Sequence, residues 1–330
     1  MMKVERVLLV GLGSIGKRHL GNLKLLVPDV KVAVLRSREE AQFIDGCEVV
    51  SSIGTALDFR PQAAFICGPS SFHLDIATEL ARAGVHLFIE KPLSNKLEGL
   101  AEFVEMVQNV NIKVMVGYNL RFSPSLLTLR ELIKRAKYGS ALYVAVDVGQ
   151  YLPDWRPGVD YRAAVSSQSE LGGGALLELS HELDYLIWLF GEPVNISGQL
   201  LKVSDLEIDV EDLVLAHVCF DNGGRNIWGS VQLDFLQRKP YRSCKVICEQ
   251  ATLVWNALED RVEVHQNKEM IIAFQGDKNR NYTYEQEVLL FIDCIEANVP
   301  VPITVVDGVR VMKLVGALIV SSETGKVVYL

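Results

Sequence analysis

The chain has no run of about 18 consecutive apolar residues, no block of basic residues and no C-x-x-C pair. The first absence argues against a membrane-spanning helix. The second is part of an acidic balance: 33 Lys plus Arg stand against 41 Asp plus Glu, a formal net charge of −8. Nucleic acid as main partner wants the opposite field. The six cysteines, Cys47, Cys67, Cys219, Cys244, Cys248 and Cys294, are scattered and mostly sit within apolar runs. They read as buried, reduced thiols. Cys244 and Cys248 are four apart, but the alternation around Val246 and Ile247 points to a strand rather than a metal-binding helix. There is no internal repeat or low-complexity segment. The opening Met-Met-Lys-Val-Glu-Arg-Val leads straight into an apolar run without a secretory leader, so a cytoplasmic location is expected.

What is present suits a well-packed chain. With 330 residues, 49% of them hydrophobic, it is long enough for two domains with separate cores. Short apolar runs at 7–10, 31–35, 63–67, 85–89 and 112–116, with a weaker one at 48–50, predict strands. Apolar spacing of three and four predicts helices at 14–26, 72–83 and 96–110, and Gly84 suits a helix C-cap. Such alternation is the mark of a doubly wound parallel sheet. After residue 122 the pattern changes. A strand at 141–150 precedes a polar and aromatic stretch at 151–171, and a helix follows at 175–190, stopped by Gly191 and Pro193. Alternating runs then predict strands at 195–203, 212–220, 226–235, 241–249, 252–256 and 261–265, with a hairpin turn at Asn222-Gly223-Gly224. Helices at 284–297 and 307–322 close the chain. The expected fold is α/β: a dinucleotide-binding parallel-sheet domain over 1–122, then an α+β domain with a mixed, mainly antiparallel sheet over 123–330.

Gly11-Leu12-Gly13-Ser14-Ile15-Gly16 follows the first strand and opens the first helix. In a dinucleotide site the first glycine permits the tight turn and the second lets backbone approach the pyrophosphate. The third allows close helix–strand packing, and the helix N-terminus, at Ser14 and Ile15, offers N–H groups to the phosphates. The second strand ends in Arg36-Ser37-Arg38 with no acid until Glu39. Two arginines around a serine suit a 2′-phosphate, so NADP(H) is the preferred cofactor and NAD(H) remains possible.

Glu90-Lys91-Pro92 ends the fifth run and places an amine where open α/β sheets bind ligands. Together with the glycine turn it points to redox chemistry on a small molecule. Four segments occur in order: Gly11 to His19, Ile66-Cys67-Gly68-Pro69-Ser70-Ser71-Phe72-His73, Glu90-Lys91-Pro92, and Gly172-Gly173-Gly174 leading to His181-Glu182-Leu183-Asp184. In this the chain resembles the glucose-fructose oxidoreductase / inositol dehydrogenase / MocA family of NAD(P)-dependent oxidoreductases, from residue 3 to about residue 325. The resemblance implies a Rossmann domain followed by a domain that often mediates oligomerisation, here a homodimer or homotetramer. It implies a sugar, nucleotide sugar or polyol, or the matching ketone, as substrate, and Lys91 as the catalytic proton donor and acceptor. An amine is a poor base at neutral pH unless burial or a cationic nicotinamide disfavours its charged form.

His181 occupies the position of the family's catalytic histidine, and Glu178, His181 and Asp184 lie three apart, predicting one shared helix face. Many relatives carry an acid four residues before this histidine, where this chain has Leu177; Glu178 stands three before. Asp184 would then orient His181 or cap local backbone. No further ligand completes a metal site on that face, so no metal is expected. Cys67, Pro69, His73, Glu90, Lys91 and Asn119 are expected to border the cofactor. Lys91, Asn119, Arg121, Trp155, Arg156, Tyr161, Glu178 and His181 are expected to meet the substrate, with Arg121 anchoring an anion. An ordered loop packing on the helix explains Trp155, Arg156 and Tyr161 equally well. Two other readings stay open: reduction of a non-sugar diol or imine, and a dinucleotide-sensing regulatory protein without turnover.

Overall fold

A computed structural model describes residues 3–36, 44 and 46–330. The chain divides into two compact units, Met1–Asn119 with Asn281–Met312, and Leu120–Arg280 with Lys313–Leu330.

The first unit opens with β1 (Arg6–Val10), α1 (Ser14–Leu26), β2 (Lys31–Leu35), β3 (Cys47–Val50) and α2 (Ile53–Asp58). It continues with β4 (Ala63–Ile66), α3 (His73–Arg82), β5 (His86–Glu90), α4 (Leu100–Asn109) and β6 (Val114–Gly117). The strands pair in the order β3-β2-β1-β4-β5-β6, every pair parallel. This is the Rossmann order, with its switch point between β1 and β4. Runs such as Val7-Leu8-Leu9 and Ala63-Ala64-Phe65-Ile66 are fully buried because helices cover both faces of a parallel sheet. Gly84 sits one residue past the α3 cap at φ 78°, the left-handed turn that ends a helix. Helix α4 begins later than apolar spacing suggests, since Gly99 precedes it at φ 81°.

The second unit comprises α5 (Pro124–Lys134), β7 (Ala141–Gly149), α6 (Ala175–Glu178), α7 (His181–Phe190), β8 (Pro193–Leu201) and β9 (Leu213–Asp221). Next come β10 (Asn226–Asp234), β11 (Tyr241–Cys248), β12 (Thr252–Asn256), β13 (Arg261–Gln266) and β14 (Glu269–Gln275). The chain closes with α8 (Tyr282–Glu296), which belongs to the first unit, then α9 (Val305–Thr324) and β15 (Val328–Tyr329). The second sheet runs β14-β13-β12-β11-β7-β10-β9-β8-β15 and is antiparallel except for the β7–β10 pair. Gly223 and Gly224, at φ 65° and 115°, turn the β9–β10 hairpin closed by the Asp221–Asn226 pair. Helix α5 starts on Ser123, whose hydroxyl accepts from the Leu126 N–H, and on Pro124 in the first turn. Ser125 on that helix accepts from the buried Trp255 indole at 2.8 Å.

Two differences from the sequence reading have physical causes. The single helix expected at 175–190 is two. Leu179, at φ −104° and ψ 27°, leaves helical geometry, and the backbone restarts with the Asp184 N–H on the Ser180 carbonyl at 3.1 Å. Residues 281–312 return to the first unit, whereas the sequence suggested a linear division at 122. Aromatic packing explains the return: Phe291 on α8 meets Phe65 and Phe88 edge-on at 5.5 and 5.8 Å, and those two stack at 4.9 Å.

Because Phe291 is fully buried, Phe291→Ala is expected to destabilise the protein by about 3–5 kcal/mol. Denaturant unfolding checks this; a loss below about 1 kcal/mol would show that α8 is peripheral to the core.

Candidate active site

The carboxyl ends of β1, β4, β5 and β6 bring the residues of the first unit's site to one edge of its sheet. After β1 the chain turns through Gly11 at φ 85°, where an added Cβ would lie 2.9 Å from the Gly68 nitrogen. An added Cβ at Gly16 would lie 2.2 Å from the Gly11 carbonyl oxygen. The glycine turn and the loop after β4 are therefore packed backbone to backbone. Gly13 is different: nothing lies within 4 Å of where its Cβ would be. It forms the N-cap of α1 and puts no side chain over the helix end, so the N–H groups of Ser14 and Ile15 face an open position.

The loop after β4 carries Cys67, Gly68 and Pro69. Burial, reinforced by the nearby Glu90 carboxylate, pushes the Cys67 thiol far up and keeps it protonated. His73 opens α3 and is buried. Its Nε2 faces the Gly68 carbonyl and its Nδ1 the Pro92 carbonyl, each at 2.9 Å. Burial holds this imidazole below the usual histidine range despite those carbonyls and Glu90. A neutral ring donates to one carbonyl only. His73 thereby ties the turn after β4 to the turn after β5.

That second turn is Glu90-Lys91-Pro92, with a cis Lys91–Pro92 bond. Lys91 is half-buried, and its N–H donates to Glu90 Oε2 at 3.2 Å. Glu90 is buried and its Oε1 meets His19 Nε2 at 2.6 Å. His19 lies on α1, wholly enclosed, with Phe65 and Phe88 at 5.4 and 5.1 Å. Glu287 on α8 completes the cluster: the nitrogen and carboxylate oxygens of the three side chains lie within 4.8 Å of one another. Sequence reasoning assigned no role to His19 or Glu287. The available signal was a glutamate among Val288, Phe291 and Ile295, on the stripe of α8 that faces the core.

At the end of β6, Asn119 is buried and its side-chain amide donates to Thr283 at 2.7 Å. Arg36 ends β2, half-buried, with its N–H on the Val50 carbonyl. Ser37 and Arg38 lie outside the described residues.

In the second unit Glu178 lies on α6 while His181 and Asp184 lie on α7, so the single helix on which the three were expected to share a face is interrupted between Glu178 and His181. Glu178 ends α6 and accepts from Ser166 Oγ at 2.8 Å. His181 is buried in the first turn of α7. Asp184 takes both bonds of a fork from Arg121, Nε at 2.9 Å and Nη2 at 2.6 Å. Arg121, expected to anchor an anion, is thus paired with an internal carboxylate. Trp155 donates to the Gln150 carbonyl at 3.0 Å and packs edge-on to Phe235 at 5.1 Å. Trp155, Arg156 and Tyr161 border a small crevice with Leu152 and Val159. The Tyr161 hydroxyl accepts from the Glu207 N–H at 3.3 Å.

Comparison with known proteins identifies this architecture. The model of the oxidoreductase family with the NAD-binding Rossmann fold matches residues 5–118. The family's C-terminal alpha/beta domain matches residues 130–330. The chain is 23% identical over 333 residues to the uncharacterized oxidoreductase YrbE of Bacillus subtilis, covering 94% of this chain and 92% of that protein. It is 30% identical over 208 residues to inositol 2-dehydrogenase of Rhizobium meliloti, covering 61% and 59%. Among solved structures, the WlbA dehydrogenase from Bordetella pertussis in complex with NADH and UDP-GlcNAcA superposes with a TM-score of 0.83 at 22% identity, over 99% and 98% of the two chains. A levoglucosan dehydrogenase complex with NADH gives 0.85 at 21%, over 98% of each. At such identities the structural likeness is one of fold.

The two glycines of the turn should separate on mutation. Helix propensity alone favours Gly16→Ala by roughly 0.5–1 kcal/mol, but the Gly11 carbonyl reverses the sign, with an expected loss of about 1–3 kcal/mol. Gly13→Ala should leave thermal stability nearly unchanged while weakening dinucleotide binding about tenfold or more. Calorimetry beside a cofactor titration checks both; unaltered affinity in Gly13→Ala would remove the pyrophosphate from this turn.

Proposed function

The chain belongs to the glucose-fructose oxidoreductase / inositol dehydrogenase / MocA oxidoreductase family, and we propose that it moves a hydride between a nicotinamide and a sugar, nucleotide-sugar or polyol alcohol or its ketone. The observation that carries this reading is the place of Lys91. It ends β5 on the sheet edge that also holds the Gly11–Gly16 turn, with His73 joining the loops between them. In the oxidising direction the substrate carbon gives its hydride to the nicotinamide while its hydroxyl gives a proton to the Lys91 amine. Reduction reverses both transfers. This chain's residues bind the dinucleotide at the open helix end, hold Lys91 at the strand terminus and carry the proton at Nζ. The relatives named for inositol, levoglucosan and a nucleotide-sugar acid support a polyhydroxylated substrate.

His181 supplies the second titratable group that the family resemblance assigns to proton transfer. Asn119, Cys67, Pro69 and Glu90 border the cofactor edge in this reading. Trp155, Arg156 and Tyr161 contribute to substrate recognition. For the cofactor we infer a preference for NADP(H) over NAD(H), carried by the cationic sequence Arg36-Ser37-Arg38, although the structural relatives above hold NADH.

Lys91→Met should lower kcat by about 10²–10⁴ while dinucleotide affinity stays within a few-fold. Turnover at the unmodified rate would remove Lys91 from the reaction. For the cofactor, kcat/KM with NADPH should exceed that with NADH, and Arg36→Ala should narrow the ratio. A clear NADH preference that survives Arg36→Ala contradicts the inference.

A further inference from the structure

His19, Glu90 and Glu287 form a buried cluster behind the catalytic lysine. Their relative exposures are 0%, 6% and 0%, and they come from α1, β5 and α8. His19 and Glu90 are paired at 2.6 Å, and the second oxygen of Glu90 receives the Lys91 N–H. Glu287 stands otherwise: both its carboxyl oxygens are enclosed, and among the described residues neither has a hydrogen-bond partner. An ionised carboxylate without a hydrogen-bond partner, fully buried next to a second carboxylate and to a histidine flanked by Phe65 and Phe88, is strongly disfavoured.

We propose that Glu287 is held as a neutral carboxylic acid and that the His19–Glu90–Glu287 triad is the positioning device for Lys91. Resting on the reading of Lys91 as the proton carrier, the triad works as follows. The neutral Glu287 fills the space beside Glu90 without adding charge, so the Glu90 carboxylate stays committed to His19 and to the Lys91 backbone. Ionising Glu287 would place two like charges within the same enclosure and drive Glu90 off its partners.

The surrounding groups agree with a neutral acid. Burial first, and Glu90 second, push the Glu287 carboxyl well above the usual carboxylate range. Cys67 on the loop after β4 is kept protonated by the same enclosure. From α3, His73 faces the Pro92 carbonyl and is neutral. On α8 itself Tyr284 lies 6.2 Å from His19, and its outer face is covered by the Arg18 guanidinium at 4.3 Å. Lys91 is the charged group nearest in sequence to Glu90. The same three side chains are close enough to hold a cation, which makes bound metal the rival occupant.

The test is difference infrared spectroscopy on the folded protein, wild type against Glu287→Gln. A protonated-carboxyl C=O stretch that persists at pH 7–8 and disappears in Glu287→Gln is expected. Its absence from the wild type overturns the proposal, as does a stoichiometric metal ion whose removal by chelator perturbs the protein. Stability supplies a second readout. The folded state keeps a proton on Glu287 that the unfolded chain releases above about pH 4.3, so the wild type is penalised as pH rises. The folded-to-unfolded ratio of Glu287→Gln should gain on the wild type by about tenfold per pH unit in that range; a constant ratio overturns the neutral acid. For positioning, Glu287→Ala should lower kcat about tenfold or more with KM little changed, and Glu287→Gln should recover most of that loss. Equal kcat loss in both variants overturns the positioning role, and should the alanine variant not fold, the infrared and pH readouts decide. The spectroscopic and stability results need no turnover. Unchanged turnover in Lys91→Met would therefore sink the catalytic reading and leave the neutral Glu287 to be decided by these two readouts.

Discussion

Parallel pairing of β1 with β4 and of β4 with β5 is the constraint on which the first unit depends. Parallel register forces the strands to end on one edge, and the loops leaving that edge carry Gly11, Cys67 to Pro69, and Glu90 to Pro92. Such a sheet needs helices on both faces, which is why the strands are apolar throughout and why polar groups concentrate where they end. The close approach of Gly16 to the Gly11 carbonyl then locks helix to turn, leaving Gly13 as the exposed point of the glycine motif.

A second principle runs through both units: polar groups that are buried are held by a partner or kept neutral. Arg121 and Asp184 satisfy each other through a two-bond fork. His19 and Glu90 pair in a wholly enclosed position. Burial opposes the charged forms of Cys67 and Glu287 and pushes both groups up. In the interior of the first unit, Glu90 links this cluster to the lysine turn by accepting the Lys91 N–H.

Much of this was legible in the amino-acid sequence. The strands from β1 to β6 are apolar runs bounded by turn residues, and α1 spans the 14–26 stretch its spacing predicts. Strands of the second unit such as β9 and β12 alternate because one face of each is buried. Four features were not legible, for different reasons. The break at Leu179 and Ser180 carries no proline or glycine; it is a tertiary result that no local propensity marks, and it puts Glu178 on a different helix from His181 and Asp184. The return of α8 to the first core rests on Phe291 meeting Phe65 and Phe88, contacts more than 200 residues apart in the chain. Arg121 looks like a ligand anchor in sequence because its partner Asp184 lies 63 residues away. β14 was missed because Met270, Ile271 and Ile272 are all exposed and show no alternation to read.

The central claim is that Lys91 meets the reacting oxygen beside a dinucleotide bound at the Gly11–Gly16 turn. Its most direct test is a crystal structure with oxidised dinucleotide and a bound polyol or sugar. The account predicts the pyrophosphate over Gly13 at the start of α1 and the Lys91 amine within hydrogen-bond distance, about 2.6–3.2 Å, of the substrate hydroxyl that faces nicotinamide. A dinucleotide seated away from the glycine turn, or a reacting hydroxyl held by groups other than Lys91, would contradict it.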